Sequence, residues 1–237
     1  MNQTTKILSN PEDLHPALWR ADQLARSVAR GVDTGHRILT NQLPDRGWPM
    51  GNLVEILVQQ HGVGEMRLLA PALAKVASRR IVMLQPPHAP QILGLAGLGL
   101  EPGRLVWLKS NSSADANWAC EQVLKSASCG ALLYWAQNIR PESLRRLHLA
   151  AQSGETLFFL LRPISAAQDS SPAPLRLGVR PAPGGLNVTF IKRRGPIREE
   201  PVFLPLTTVT QPHTRRPLPS VIPLPVEIKS RESLESN

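Results

Sequence analysis

The stretch Val58-Gln59-Gln60-His61-Gly62-Val63-Gly64-Glu65-Met66-Arg67-Leu68-Leu69 has the order in which phosphate-binding sites are built: apolar strand, glycine-containing turn, helical pattern. A working phosphate loop turns backbone N–H groups toward the phosphates. It then supplies a Lys for the β and γ phosphates and a Ser or Thr for magnesium. Here Gly62 and Gly64 supply the turn, but Glu65 stands where the Lys belongs and Met66 where the hydroxyl belongs. A carboxylate facing a phosphate repels it, and a thioether offers a hard cation no oxygen. The sequence predicts a degenerate P-loop that holds no nucleotide and no other cofactor.

The remaining catalytic positions agree. In P-loop enzymes of this build, the strand after the loop's helix ends near a carboxylate that activates water, and a later strand ends in a metal-associated Asp. The run Ile81–Gln85 leads instead into Pro86-Pro87-His88, so Pro87 falls at the expected base. The run Leu132-Leu133-Tyr134-Trp135-Ala136 puts the indole of Trp135 at the expected carboxylate. Three chemical requirements fail together, and no catalytic residue is expected. His61 and His88 flank the loop without a Cys, Asp or Glu pattern suited to a metal, and read as polar loop residues. Cys120 and Cys129 are nine positions apart with no CxxC partner, which argues against zinc or a disulfide framework and for buried thiols.

These residues need a scaffold. Leu53–Val58, Ile81–Gln85, Arg104–Leu108, Ala131–Ala136 and Leu157–Leu161 read as strands buried on both faces. Glu65–Ser78, Ala89–Leu98, Ala114–Ser128 and Pro141–Ala151 have the length and period of crossover helices. The fold class expected is α/β, with a mostly parallel central sheet flanked by helices. Apolar residues at helical spacing from Leu14 to Val28 predict an N-terminal amphipathic helix. Leu175–Arg180 and Leu186–Arg194, joined by Pro181-Ala182-Pro183-Gly184-Gly185, predict a hairpin that closes the sheet edge. Residues 1–34 form the N-terminal helical segment in this division, 35–206 the α/β domain and 207–237 a Pro-rich tail, extended or disordered.

The 237 residues carry 27 Lys and Arg against 18 Asp and Glu, a formal net charge of +9. That balance suits work near polyanions, or a solvated basic surface. Lys192, Arg193, Arg194 and Arg198 are candidates for DNA phosphates, against the plainer role of charge guarding an edge strand. Arg215 and Arg216 in the tail suit a linear partner motif. Of the five tryptophans, Trp107 and Trp135 fall in expected central strands and read as core, which leaves Trp19 and Trp48 as contact candidates. Val221–Ile228 is apolar within a chain too polar and Pro-rich to fold alone. Ile222, Leu224 and Val226 therefore mark a segment that orders on a partner, or a plain spacer. No apolar run is long enough for a membrane helix and the first eleven residues lack a signal-peptide core, so the protein is expected in the cytoplasm.

The lead-in Gly47-Trp48-Pro49-Met50-Gly51-Asn52-Leu53-Val54-Glu55-Ile56 resembles the segment that RecA-family proteins place before their P-loop, and the order of elements over about residues 35–165 is similar. Taken with Leu18-Trp19-Arg20-Ala21-Asp22-Gln23-Leu24 and with Gly184-Gly185-Leu186 running into Lys192-Arg193-Arg194-Gly195, the chain resembles the ImuA family, RecA-like proteins without ATPase motifs. The resemblance implies a RecA-like fold and no enzymatic step. It implies a part in SOS translesion synthesis, with a Y-family polymerase-like partner and with RecA or an error-prone C-family polymerase as further ones. SulA-like cell-division inhibitors of the SOS response share the degenerate shape and are the nearest alternative.

Overall fold

The computed structural model describes residues 31–195 and 200–206, together with the backbone of 226–228; the helix expected between Leu14 and Val28 lies outside the described residues. A lead-in of β1 (Gly31–Val32), α1 (Arg37–Thr40) and β2 (Trp48–Pro49) precedes the alternating elements. These are β3 (Asn52–Val58), α2 (Glu65–Lys75), β4 (Arg80–Leu84), α3 (Ile92–Gly97), β5 (Leu105–Ser110), α4 (Ser113–Ser126), β6 (Cys129–Trp135), α5 (Pro141–Ala151) and β7 (Leu157–Pro163). Then come β8 (Leu175–Ala182), β9 (Gly185–Lys192), β10 (Val202–Pro205) and β11 (Val226–Ile228). One sheet has the order β10-β9-β8-β3-β7-β6-β4-β5-β11. Its strands from β8 to β11 are parallel, and β9 runs against both neighbours.

Both faces of the parallel strands are covered, which is why they read as continuous apolar runs. Side chains alternate between two cores as the strand period of two requires. Val54, Ile56, Met83, Leu133, Trp135, Phe159 and Leu161 pack on one face with Leu68, Leu69 and Leu73 of α2 and Leu95 of α3. Leu53, Val82, Leu84, Leu132, Tyr134, Phe158 and Leu160 pack on the other with Cys120 and Leu124 of α4 and Leu144 and Leu147 of α5. Cys120 and Cys129 are free, buried thiols, and burial pushes the pKa of both up.

Element ends depart from expectation for local reasons. The helix expected from Ala89 starts only at Ile92, because Pro90 has no N–H and forces its predecessor out of helical geometry. The one expected to reach Ser128 stops at Ser126, where Ala127 turns left-handed with φ 47°. The hairpin forms, but it does not close the edge. β10 adds outside it in antiparallel register, Val202 against Val188 and Leu204 against Leu186. At the far edge Val226–Ile228 pair in parallel with Leu108–Ser110 of β5. Those three tail residues have strand backbone, and 207–225 and 229–237 lie outside the described residues.

The lead-in is a two-stranded ribbon held by close backbone approach. A Cβ on Gly47 would stand 2.5 Å from the carbonyl oxygen of Val32, so only glycine fits. The ribbon drives Trp48 inward. Its indole is 0% exposed and meets Phe159 of β7 edge-on, centroids 5.2 Å apart at 88°. Trp48 is therefore a core residue, and its sequence-based reading as a contact residue is corrected: the ribbon's register points it at the sheet. Glu55, two residues beyond Leu53, is also 0% exposed. Its carboxylate accepts from Arg162 Nη1 at 3.2 Å and from Arg176 Nε, tying β3 to β7 and β8. Arg162 reaches on to Asp169 at 2.9 Å, and Arg176 donates to the carbonyls of Ala166 and Asp169 at 2.7 and 3.0 Å. One buried carboxylate thus fixes three strands and the 164–169 turn.

Candidate functional site

The loop between β3 and α2 is built from two glycines in left-handed conformations, Gly62 at φ 85° and Gly64 at φ 118°. Their N–H groups converge, as they do where a phosphate binds. The acceptor they meet is the chain's own. Gly62 N donates to Glu65 Oε1 at 2.7 Å and Gly64 N to Glu65 Oε2 at 3.1 Å. Glu65 is 3% exposed and is the first residue of α2, where the helix dipole favours an anion. Charge-assisted bonds of this kind are worth about 1.5–3 kcal/mol each. Glu65 does more than repel a phosphate across an open loop: it occupies the loop.

A second barrier stands on the other side of Gly64. A Cβ built there would lie 3.2 Å from Leu186 Cδ2 and 3.3 Å from Leu206 Cδ1. Leu206 is held in place by its N–H, which donates to Gly184 O at 3.0 Å, and by its carbonyl, which accepts from Arg67 Nη2 at 2.9 Å. Met66 is half-buried and packs against the core on that face of the sheet. The part played by Leu206 and Arg67 had no signal in the sequence, since they are 139 residues apart.

Pro87 is exposed in the loop after β4, and Trp135 at the end of β6 is 8% exposed. Together with His61 they line one cleft. The residue at the end of β4 itself is Gln85, held left-handed at φ 55° by its N–H on Leu108 O and its Nε2 on Ser110 O, at 2.9 and 2.6 Å. Sequence reasoning missed that conformation because a residue before proline is biased toward extended backbone. Among the described residues no three His, Cys, Asp or Glu side chains gather where a metal could be held.

The basic cluster is divided by the strand's alternation. Arg193 is half-buried; its Nη1 donates to Gln42 O at 2.8 Å and its guanidinium lies 4.9 Å from the centre of the Phe190 ring. Lys192 and Arg194 are exposed, Lys192 donating to Ser171 O at 2.8 Å. Arg194 draws down the pKa of Asp45, against a larger rise from burial. Both also act on His148 of α5, whose imidazole is held below its usual value first by burial and then by these two charges. Lys192 and Arg194 thus make one electropositive end of the sheet, opposite the Glu65 loop. Trp19, Arg198, Arg215, Arg216, Ile222 and Leu224 lie outside the described residues, and only the backbone of Val226 is described.

Among the described residues no helix is long and apolar enough to cross a membrane. No family model matches the chain. The chain is similar to the cell division inhibitor SulA of Serratia proteamaculans (strain 568), at 29% identity over 115 residues, which make up 48% of this chain and 68% of that protein.

Proposed function

We propose that this chain is a non-catalytic, RecA-like adaptor of SOS translesion synthesis. It binds a Y-family polymerase-like protein, with RecA or an error-prone C-family polymerase as further partners. The observation that carries the reading is Glu65 seated in the loop where a RecA-like enzyme would hold phosphate. A fold that keeps the loop's backbone and fills it with its own carboxylate has retained the shape of a nucleotide-binding domain and given up its ligand. Shape remains as a means of binding other proteins. The partner assignment rests on the ImuA resemblance of the Gly47–Glu55 lead-in and the Gly184–Gly195 hairpin.

A second reading has its own support. The likeness to SulA favours inhibition of cell division as part of the same damage response. The two readings share a non-enzymatic protein that acts by contact, and they differ in what is contacted. Cross-linking of the tagged 237-residue chain in DNA-damaged cells, followed by mass spectrometry, separates them. Recovery of a polymerase-like protein is the expected result. Recovery of a filament-forming division protein in its place would establish the second reading and remove the first.

A further inference from the structure

The sheet carries a second crevice that neither reading uses. β4 is followed by α3, which packs on the face of Leu95, while its neighbour β6 is followed by α5, which packs on the opposite face. Where successive helices leave neighbouring parallel strands for opposite faces, the strand ends part, and α/β folds bind ligands in that gap. Here the gap is a cleft of about 400 Å³, within the range of small-molecule sites. It is distinct from the loop that Glu65 fills.

Three features of its walls point to a ligand. Gln85 is held at φ 55°, a conformation that costs a non-glycine residue energy and persists where the surroundings enforce it. With its Nε2 on Ser110 O, Gln85 keeps Oε1 as an acceptor. Trp135, 8% exposed, buries an indole Nε1 with no acceptor, and His61 buries an Nδ1 with no partner, both on the cleft's lining. Buried donors are nearly always satisfied, so an orphaned one beside a cavity is the mark of a missing acceptor. The described residues of the lining include no Lys, Arg, Asp or Glu; amides such as Gln85 and Gln137 and the hydroxyls of Ser112 and Ser113 supply the polarity.

We propose that this cleft binds an uncharged nucleoside-like molecule: a planar ring whose edge offers paired donors and acceptors, carrying hydroxyls and no phosphate. Amide side chains match a base edge in pairs, as they do in reading DNA. A phosphate would find no cation in these walls, and losing its water without a partner is costly. Uncharged ligands are therefore selected over their phosphorylated forms.

The test titrates the full-length protein with adenosine, guanosine, cytidine and thymidine and with their 5′-monophosphates, by calorimetry and saturation-transfer NMR, alongside a short Gln- and Asn-containing peptide. At least one nucleoside should saturate, with its monophosphate weaker by about tenfold or more. Gln85→Gly removes the amide and lets glycine take the left-handed backbone without strain, and Trp135→Phe removes the indole N–H and keeps the ring. Each should weaken the nucleoside about tenfold, with the thermal midpoint of the glycine variant unchanged or raised. Four nucleosides that fail to saturate, a monophosphate that binds as well as its nucleoside, a Gln85→Gly variant that binds like the parent, or binding of the peptide alone would each overturn the proposal. None of these outcomes touches the partner-recovery experiment above.

Discussion

At the scale of single residues, Glu65 decides more than its charge suggests. Read from sequence it is a lost lysine; in the fold it is the anion for which the loop's N–H groups are arranged. Two consequences separate these descriptions. Glu65→Ala leaves two buried N–H groups without an acceptor, so it should destabilise the domain by about 1–3 kcal/mol, read from urea unfolding. A residue that only repelled a ligand would be replaced at no cost. Restoring the missing types, Glu65→Lys with Met66→Thr, should not restore ATP binding, because Leu186 and Leu206 stand against Gly64 and Gln85 and Trp135 remain at the other catalytic positions. A labelled ATP analogue that saturates this double variant would show that only the two substitutions had closed the site.

At the scale of elements, stability rests on a buried ion cluster that joins strands distant in the chain. Glu55 belongs to β3, Arg162 to β7 and Arg176 to β8, and the acid loses all contact with water. Removing one member of such a cluster leaves charge uncompensated, so Glu55→Ala should cost about 3–5 kcal/mol in urea unfolding. A loss below about 1 kcal/mol would mean that water or Asp169 takes over the pairing. The parallel strands were legible in the sequence because burial on both faces leaves unbroken runs such as Leu157–Leu161, and Pro141 marked the start of α5 correctly. Trp48 was not legible. In a two-residue strand nothing in the pattern tells inward from outward, and the answer lies in the fit of Gly31 against Asp45 and of Gly47 against Val32. The filled loop was half legible: the failure of Lys and hydroxyl can be read from residue types, but which acceptor meets Gly62 and Gly64 is a matter of conformation.

At the scale of the molecule, charge and edges decide what the surface can meet. The net charge of +9 invites phosphate backbones, yet the Lys192–Arg194 cluster is not uniform. Lys192 and Arg194 face solvent, while Arg193 is spent on Gln42 and Phe190. Binding to single- or double-stranded DNA should be weak, indifferent to sequence and steeply reduced by salt. Replacing Lys192 and Arg194 by Ala should weaken it and flatten the salt slope by up to about two contacts' worth. Arg193→Ala should instead lower the unfolding midpoint and leave the slope nearly unchanged. The tail bears on the opposite end of the sheet. From Pro205 at one edge to Val226 at the other the chain has about 20 residues, a reach of at most about 70 Å, while nine strands at about 4.8 Å spacing span about 38 Å. The tail can therefore serve its own β5 or that of a second copy. It covers a parallel edge that would otherwise present unpaired N–H and C=O groups. Three residues contribute little to stability, so deleting 207–237 should shift the thermal midpoint by only a few degrees. The edge it uncovers should then bind added strands: a synthetic peptide covering 219–231 should bind the truncated protein and compete poorly for the full-length one, measured by fluorescence anisotropy. If Ile222, Leu224 and Val226 also engage the polymerase-like partner, truncation weakens its co-purification as well. Equal peptide binding by both proteins would show that β5 is open in the full-length chain and that β11 does not guard it.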